Sequence, residues 1–115
     1  PVGMAEGVAA LDLLLERFPD TQAVICVSDL IAFGVLSQCQ RRGLRIPHDL
    51  AVAGFGNYEI GQVCVPSLTT IDVHAGTIGA RTAELILDLL STGPTTQDSI
   101  KIAIKPDLIL RESCR

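Results

Sequence analysis

The sequence predicts an α/β fold, a parallel sheet with flanking helices, on three observations. QAVICV (residues 22–27) and LAVAGF (50–55) are continuous apolar runs rather than alternating ones, as in strands covered on both faces of a parallel sheet. Between them lies a segment opened by Ser28 or Asp29 and stopped by Gly43, the punctuation of a helix. Strand, helix and strand in that order make the crossover unit that joins neighbouring parallel strands.

The remaining elements follow in chain order. Met4, Val8, Leu11, Leu15 and Phe18 recur at helical spacing, with Glu6, Asp12, Glu16 and Arg17 largely outside that stripe, and predict a helix from Met4 that Pro19-Asp20 ends. The second helix runs through about Arg42, and RIPHD connects it to the second strand. Residues 56–67 read as an irregular or short helical segment ending at Pro66. LTTIDV (68–73) is a third, shorter strand candidate, and residues 77–93 form a long amphipathic helix closed by Gly93. SIKIAIKPDLILRES alternates from Ile100 and breaks at Pro106, which suggests two short strands. No internal repeat, low-complexity tract or linker is visible.

Composition narrows the function classes. With 48% hydrophobic and 19% charged residues the chain has enough apolar content for a core. Nine Lys and Arg are scattered in a chain of net charge −4, so no basic stripe exists to neutralise phosphates. Cys26, Cys39, Cys64 and Cys114 lie far apart without a C-x-x-C pair and read as reduced thiols of a cytosolic protein. His48 and His74 are the only histidines and neither has metal-ligand spacing, so no metal or cofactor is expected. No apolar run has membrane-spanning length, and no export signal opens the chain. The chain begins without Met, at a proline that leads almost at once into a helix, and an upstream portion is expected to be missing.

Gly54-Phe55-Gly56 is not a nucleotide loop. The next glycine is Gly61, two residues too late for G-x-G-x-x-G, and no phosphate-cradling G-x-x-x-x-G-K-[ST] occurs. Topology is more specific, because ligands of open α/β sheets bind beyond the carboxyl ends of the strands. The first strand delivers Ser28 and Asp29 to that edge and the second delivers Gly56 and Asn57. Short polar side chains beside a free helix N-terminus suit a polyol or a weak anion such as a sugar acid. The same residues also fit plain structural roles, Ser28 or Asp29 as helix cap and Asn57 as turn former. No nucleophile, base and orienter can be assembled, so an enzyme is not expected.

AVICVSDLIAFGVLSQCQRRGLRIPHDLAVAGFGN followed by VPSLTTI resembles the carboxyl-terminal part of the effector-binding core of LacI/GalR-family bacterial transcription regulators. The linked features are an apolar strand then [NS]-D opening a helix, a G-L-R-[IV]-P turn, a V-x-G-[FY] strand end and P-x-L-T-T-I. The resemblance covers about Phe18 to Arg111. It implies part of a periplasmic-binding-protein-like fold: residues 1–70 mostly carboxyl-terminal subdomain, 71–100 the crossover and a helix of the amino-terminal subdomain, 101–115 terminal strands. It further implies a sugar or related effector, a homodimer, and operator DNA read only by an amino-terminal headpiece absent here.

In that family the position of Ser28 is often Asn and contacts ligand, and the position of Gly56 is commonly Asp. Gly56 removes a carboxylate from the pocket, so like charge no longer opposes an anion, and Asn57 stands in as the polar contact. GFG[DN] is similar to the gluconate-utilisation repressor branch. By the resemblance, Phe33 and Leu36 on the outer face of the second helix, with Tyr58, Ile60 and Cys64, are assigned to the dimer interface; on helical period alone Phe33 and Leu36 are equally core residues. The helix after LTTIDV would lack its partner sheet and bury its apolar face against another copy. A transport-type sugar-binding protein of the same fold is the alternative function.

Overall fold

The computed structural model describes residues 3–93 and 100–115. Helix α1 (Met4–Arg17) leads to strand β1 (Ala23–Ile25), helix α2 (Asp29–Arg42) and strand β2 (Ala51–Ala53). The short helix α3 (Ile60–Val63), strand β3 (Thr70–Asp72), the long helix α4 (Ala75–Thr92) and strand β4 (Asp107–Ile109) follow, and a single 3-10 turn, Glu112–Cys114, ends the chain.

The expected crossover is present. β1 and β2 pair in parallel with Val24 opposite Val52, and a parallel bridge from Ala53 to Thr69 adds the approach to β3 beside β2. β3 itself pairs antiparallel with β4, Ile71 opposite Leu108. Ser28 caps α2 by accepting from the Ile31 N–H at 3.4 Å. At the other end Gly43 takes the left-handed conformation, φ 70°, that stops the helix.

The core lies between this small sheet and the two helices. Leu11 of α1, Ala32, Phe33, Val35, Leu36 and Cys39 of α2, Leu50, Val52 and Leu68 are all buried in it. α1 and α2 approach so closely that a Cβ on Gly7 would collide with the Ile31 carbonyl, and one on Gly34 with that of Met4. The same helix pair is tied at its far end by Asp12, which accepts from Gln38 Nε2 at 2.8 Å and Arg42 Nη1 at 2.6 Å. All four thiols are free, and burial pushes that of Cys26 up to about 11.

Two expectations are corrected. Continuous apolar runs suggested strands covered on both faces, yet Ile25 and Val27 are 82% and 77% exposed: α1 and α2 cover one side of β1, and no described element covers the other. The alternating stretch before Pro106 is not a strand, for Ile100–Pro106 carry no ladder. Its alternation is real, but Ile100, Ile102 and Ile104 face Ile78 and Leu85 of α4 across a cavity of about 300 Å³, with no described strand alongside to pair. Ser99, where that stretch begins, lies outside the described residues.

α4 contains no buried residue. It projects from the rest and gives the chain a radius of gyration of 18.5 Å, against about 13 Å for a compact domain of this length. No described helix is long and apolar enough to cross a membrane.

Candidate functional site

The carboxyl ends of β1 and β2 meet the loop Gly54–Tyr58, and Asp29 organises that junction. Its backbone N–H donates to the Phe55 carbonyl at 3.0 Å. Its carboxylate accepts from the Thr70 hydroxyl at 2.6 Å through Oδ1 and from the Tyr58 N–H at 2.7 Å through Oδ2. The side chain is fully buried, and Gly54 makes room for it, since a Cβ there would collide with Oδ1. A buried carboxylate needs such donors, and its place in the first turn of α2 adds the favourable helix field. Asp29 thus shapes the loop from inside, whereas Ser28, half-buried, stands at the open end of α2.

Backbone conformation sets the rest of the loop. Gly56 has φ 125°, a value that side chains rarely adopt, and its N–H donates to the Ile71 carbonyl at 2.9 Å. A Cβ at Gly56 would sit 3.1 Å from Cε1 of the Tyr58 ring. Asn57 is left-handed at φ 55°, which Asn tolerates better than most residues. Its Nδ2 donates to Asp72 Oδ2 at 3.0 Å and its Oδ1 accepts from Arg111 Nη2 at 2.7 Å.

Four contributors were not singled out from the sequence: Thr70, Asp72, His74 and Arg111. Thr70 and Asp72 had a signal, because residues two apart on a strand share a face, and here both meet the loop. Arg111 had none, reaching Asn57 over a separation of 54 residues. The Asp72 carboxyl is held below its ordinary range, first by the His74 N–H that donates to it and further by the Asn57 amide. No described group of His, Cys, Asp and Glu could hold a metal ion.

The structure therefore brings together Ser28, Asp29, Gly56 and Asn57 at one edge. The residues assigned to the dimer interface divide by exposure. Phe33 and Leu36 are each 6% exposed and belong to the core, because α2 turns that face toward the sheet and α3; helical period alone did not say which side faces inward. Cys64 is half-buried and packs against the core. Tyr58 and Ile60 are exposed, with Val63 and Val65 beside them in sequence also open to solvent.

Residues 2–114 match the family model of the periplasmic binding protein-like domain. The chain is 34% identical over 107 residues to the transcriptional regulator CelR of Thermobifida fusca, covering 93% of this chain and 31% of that protein. It is 43% identical over 82 residues to the transcriptional repressor CytR of Escherichia coli, covering 71% and 24%. The crystal structure of a LacI family transcriptional regulator from Silicibacter pomeroyi superposes with a TM-score of 0.88 at 38% identity, over all of this chain and 40% of that one. The E. coli regulator GntR, 34% identical over 83 residues (72% of this chain, 25% of that protein), is one of several similar regulators and does not stand apart from the others. The chain spans between about a quarter and a third of the length of the curated relatives it matches, and those relatives are transcription regulators. The chain belongs to the periplasmic binding protein-like domain family, in the form that LacI-family transcription regulators share.

Proposed function

We propose that the chain is the ligand-sensing and dimerising portion of a LacI-type transcriptional repressor. In this reading it acts in the cytoplasm, and operator DNA is bound through a separate headpiece. The observation that carries it is the convergence of Ser28, Gly56 and Asn57 at the carboxyl edge of two parallel strands in a chain of this family. Relatives support a sugar as effector: solved structures include a CelR–cellobiose complex, with a TM-score of 0.89 at 30% identity over 96% of this chain and 33% of that one. A sugar acid such as gluconate is the finer proposal. Gly56 contributes no carboxylate, and the Arg111 guanidinium lies 2.7 Å from Asn57, while Asp72 on the other side of the amide opposes an anion.

Gly56→Asp is a poor probe of this choice, since it would strain a positive φ and press on Tyr58. The ligands themselves are the better probe. Gluconate and glucose are titrated separately into the isotope-labelled chain while the backbone amides of Ser28, Gly56 and Asn57 are followed. These three should move together, and further with gluconate. Movement with glucose alone would remove the sugar acid, and no movement at this loop with either would remove the site.

The dimer surface in this reading centres on Tyr58, Ile60 and Val63, which are 44%, 52% and 74% exposed, rather than on α2. A homodimer would place this patch near a two-fold axis. Sedimentation that Tyr58→Asp leaves unchanged would count against it.

A further inference from the structure

A line of polar contacts runs from the loop to the base of α4. Arg111 Nη2 donates to Asn57 Oδ1 at 2.7 Å, and Nη1 is anchored on the Leu68 carbonyl at 2.8 Å. Arg111 is itself fixed by its backbone, whose N–H donates to Thr69 Oγ1 at 2.8 Å and whose carbonyl accepts from the same hydroxyl at 3.1 Å. Beyond Asn57, the amide donates to Asp72 Oδ2 at 3.0 Å, and Asp72 Oδ1 accepts from the His74 N–H at 2.7 Å. His74 has φ 55° and is the N-cap residue of α4. Its Nε2 lies 2.9 Å from Asp107 Oδ2 on β4.

This arrangement matters because it is the polar tie at the start of α4. Among the described residues the helix buries none of its own and otherwise faces Ile100, Ile102 and Ile104 across a cavity, so the turn at His74 helps to set its direction. The left-handed turn at His74 is unfavourable for a non-glycine residue, and Asp72 and Asp107 hold it from two sides. We propose that Arg111 is a positioning residue that acts through Asn57 and Asp72 to set the turn at His74, so that the state of the ligand loop is transmitted to the direction of α4. A ligand hydroxyl or carboxylate competing for the Asn57 amide would loosen Asp72 and with it the turn. This transmission rests on the ligand site proposed above; the relay of contacts does not.

The test is amide hydrogen exchange at His74 and Ile78 in the chain without ligand. Asn57→Ala cuts the relay while leaving Arg111 on Leu68 and Thr69, and should speed exchange at His74 about tenfold, the worth of one hydrogen bond to a charged group. Arg111→Gln should do the same. Combining Asn57→Ala with Asp72→Asn should add little to either alone, because both break one line. Amides of Ala32 and Leu36 in α2 should not change. A merely structural Arg111 would alter exchange at Leu68 and Thr69 but leave His74 unmoved in Asn57→Ala, and that result overturns the proposal. So does full additivity of Asn57→Ala and Asp72→Asn. Failure here would leave the ligand reading intact, whereas absence of gluconate and glucose effects at the loop would remove that reading and leave the relay.

Discussion

Helices α2 and α4 carry similar apolar content and meet opposite fates. α2 buries seven residues, among them Phe33, Val35, Leu36 and Cys39, because α1 closes one side of it and the β1–β2 sheet the other. α4 is the longer and more clearly amphipathic helix, yet Ile86, Leu87 and Leu90 are 51%, 65% and 79% exposed. An amphipathic pattern specifies a helix and a face; burial depends on whether another element meets that face. The body built on α2 has its own core. Among the described residues, the arm built on α4 is attached mainly through the polar contacts at its base and the isoleucines of residues 100–104.

The largest expected contrast comes from equal truncations in the two regions. Leu50 is 1% exposed, so Leu50→Ala should cost about 2–5 kcal/mol through lost transfer energy and a cavity. Leu90→Ala should change stability by less than about 0.5 kcal/mol. Urea unfolding checks both, and comparable losses would erase the distinction between body and arm.

Asp29 comes next, as the buried joint between the body and the loop. Asp29→Ala leaves the Tyr58 N–H and the Thr70 hydroxyl without their acceptor, and about 2–4 kcal/mol should be lost at the typical worth of hydrogen bonds to a charged group. Ser28→Ala removes one cap contact on the same helix and should cost about 1 kcal/mol. If Ser28→Ala proved the costlier of the two by the same urea assay, the carboxylate would not be the organiser of this junction.

The smallest effect is that of pH. Arg45 hydrogen bonds hold Asp49 in the body down to about 2. Asp72, at the joint with the arm, is lowered first by the His74 N–H, and Glu112 first by the Ser67 N–H. Folded values below the ordinary 3.8 and 4.5 mean that these groups add stability above those values and lose it as pH falls through the folded ones. Thermal midpoints should therefore drop as acid is added below about pH 4.5. Asp49→Asn should flatten the part of that drop nearest pH 2, and an unchanged profile would show that the Arg45–Asp49 pair contributes nothing to it.

The body was more legible than the arm, for a physical reason. Local signals, such as Ser28 before α2, Gly43 after it and the short apolar strands, are satisfied by neighbours in the same βαβ unit. The outward side of α2 was not legible, since Phe33 and Leu36 carry helical period whichever way the helix turns. Neither was the role of Asp29, because a short acidic residue after a strand serves as well to cap, to bind ligand or to brace a loop. Only its position against Gly54, Tyr58 and Thr70 decides. The relay through Arg111 and Asp72 joins segments far apart in sequence, and no local pattern announces it.

Amide exchange across α2 and α4 in the same sample, at two chain concentrations, tests the division into body and arm most directly. Ala32, Phe33 and Leu36 are expected to exchange only through global unfolding, and the amides of α4 from Ile86 to Leu90 through local opening, with far lower protection than α2 at the lower concentration. Protection of α4 that rises with concentration would mark a second copy covering its apolar face. Equal protection of α2 and α4 at both concentrations would contradict the account, since it would make the two helices parts of one cooperative core.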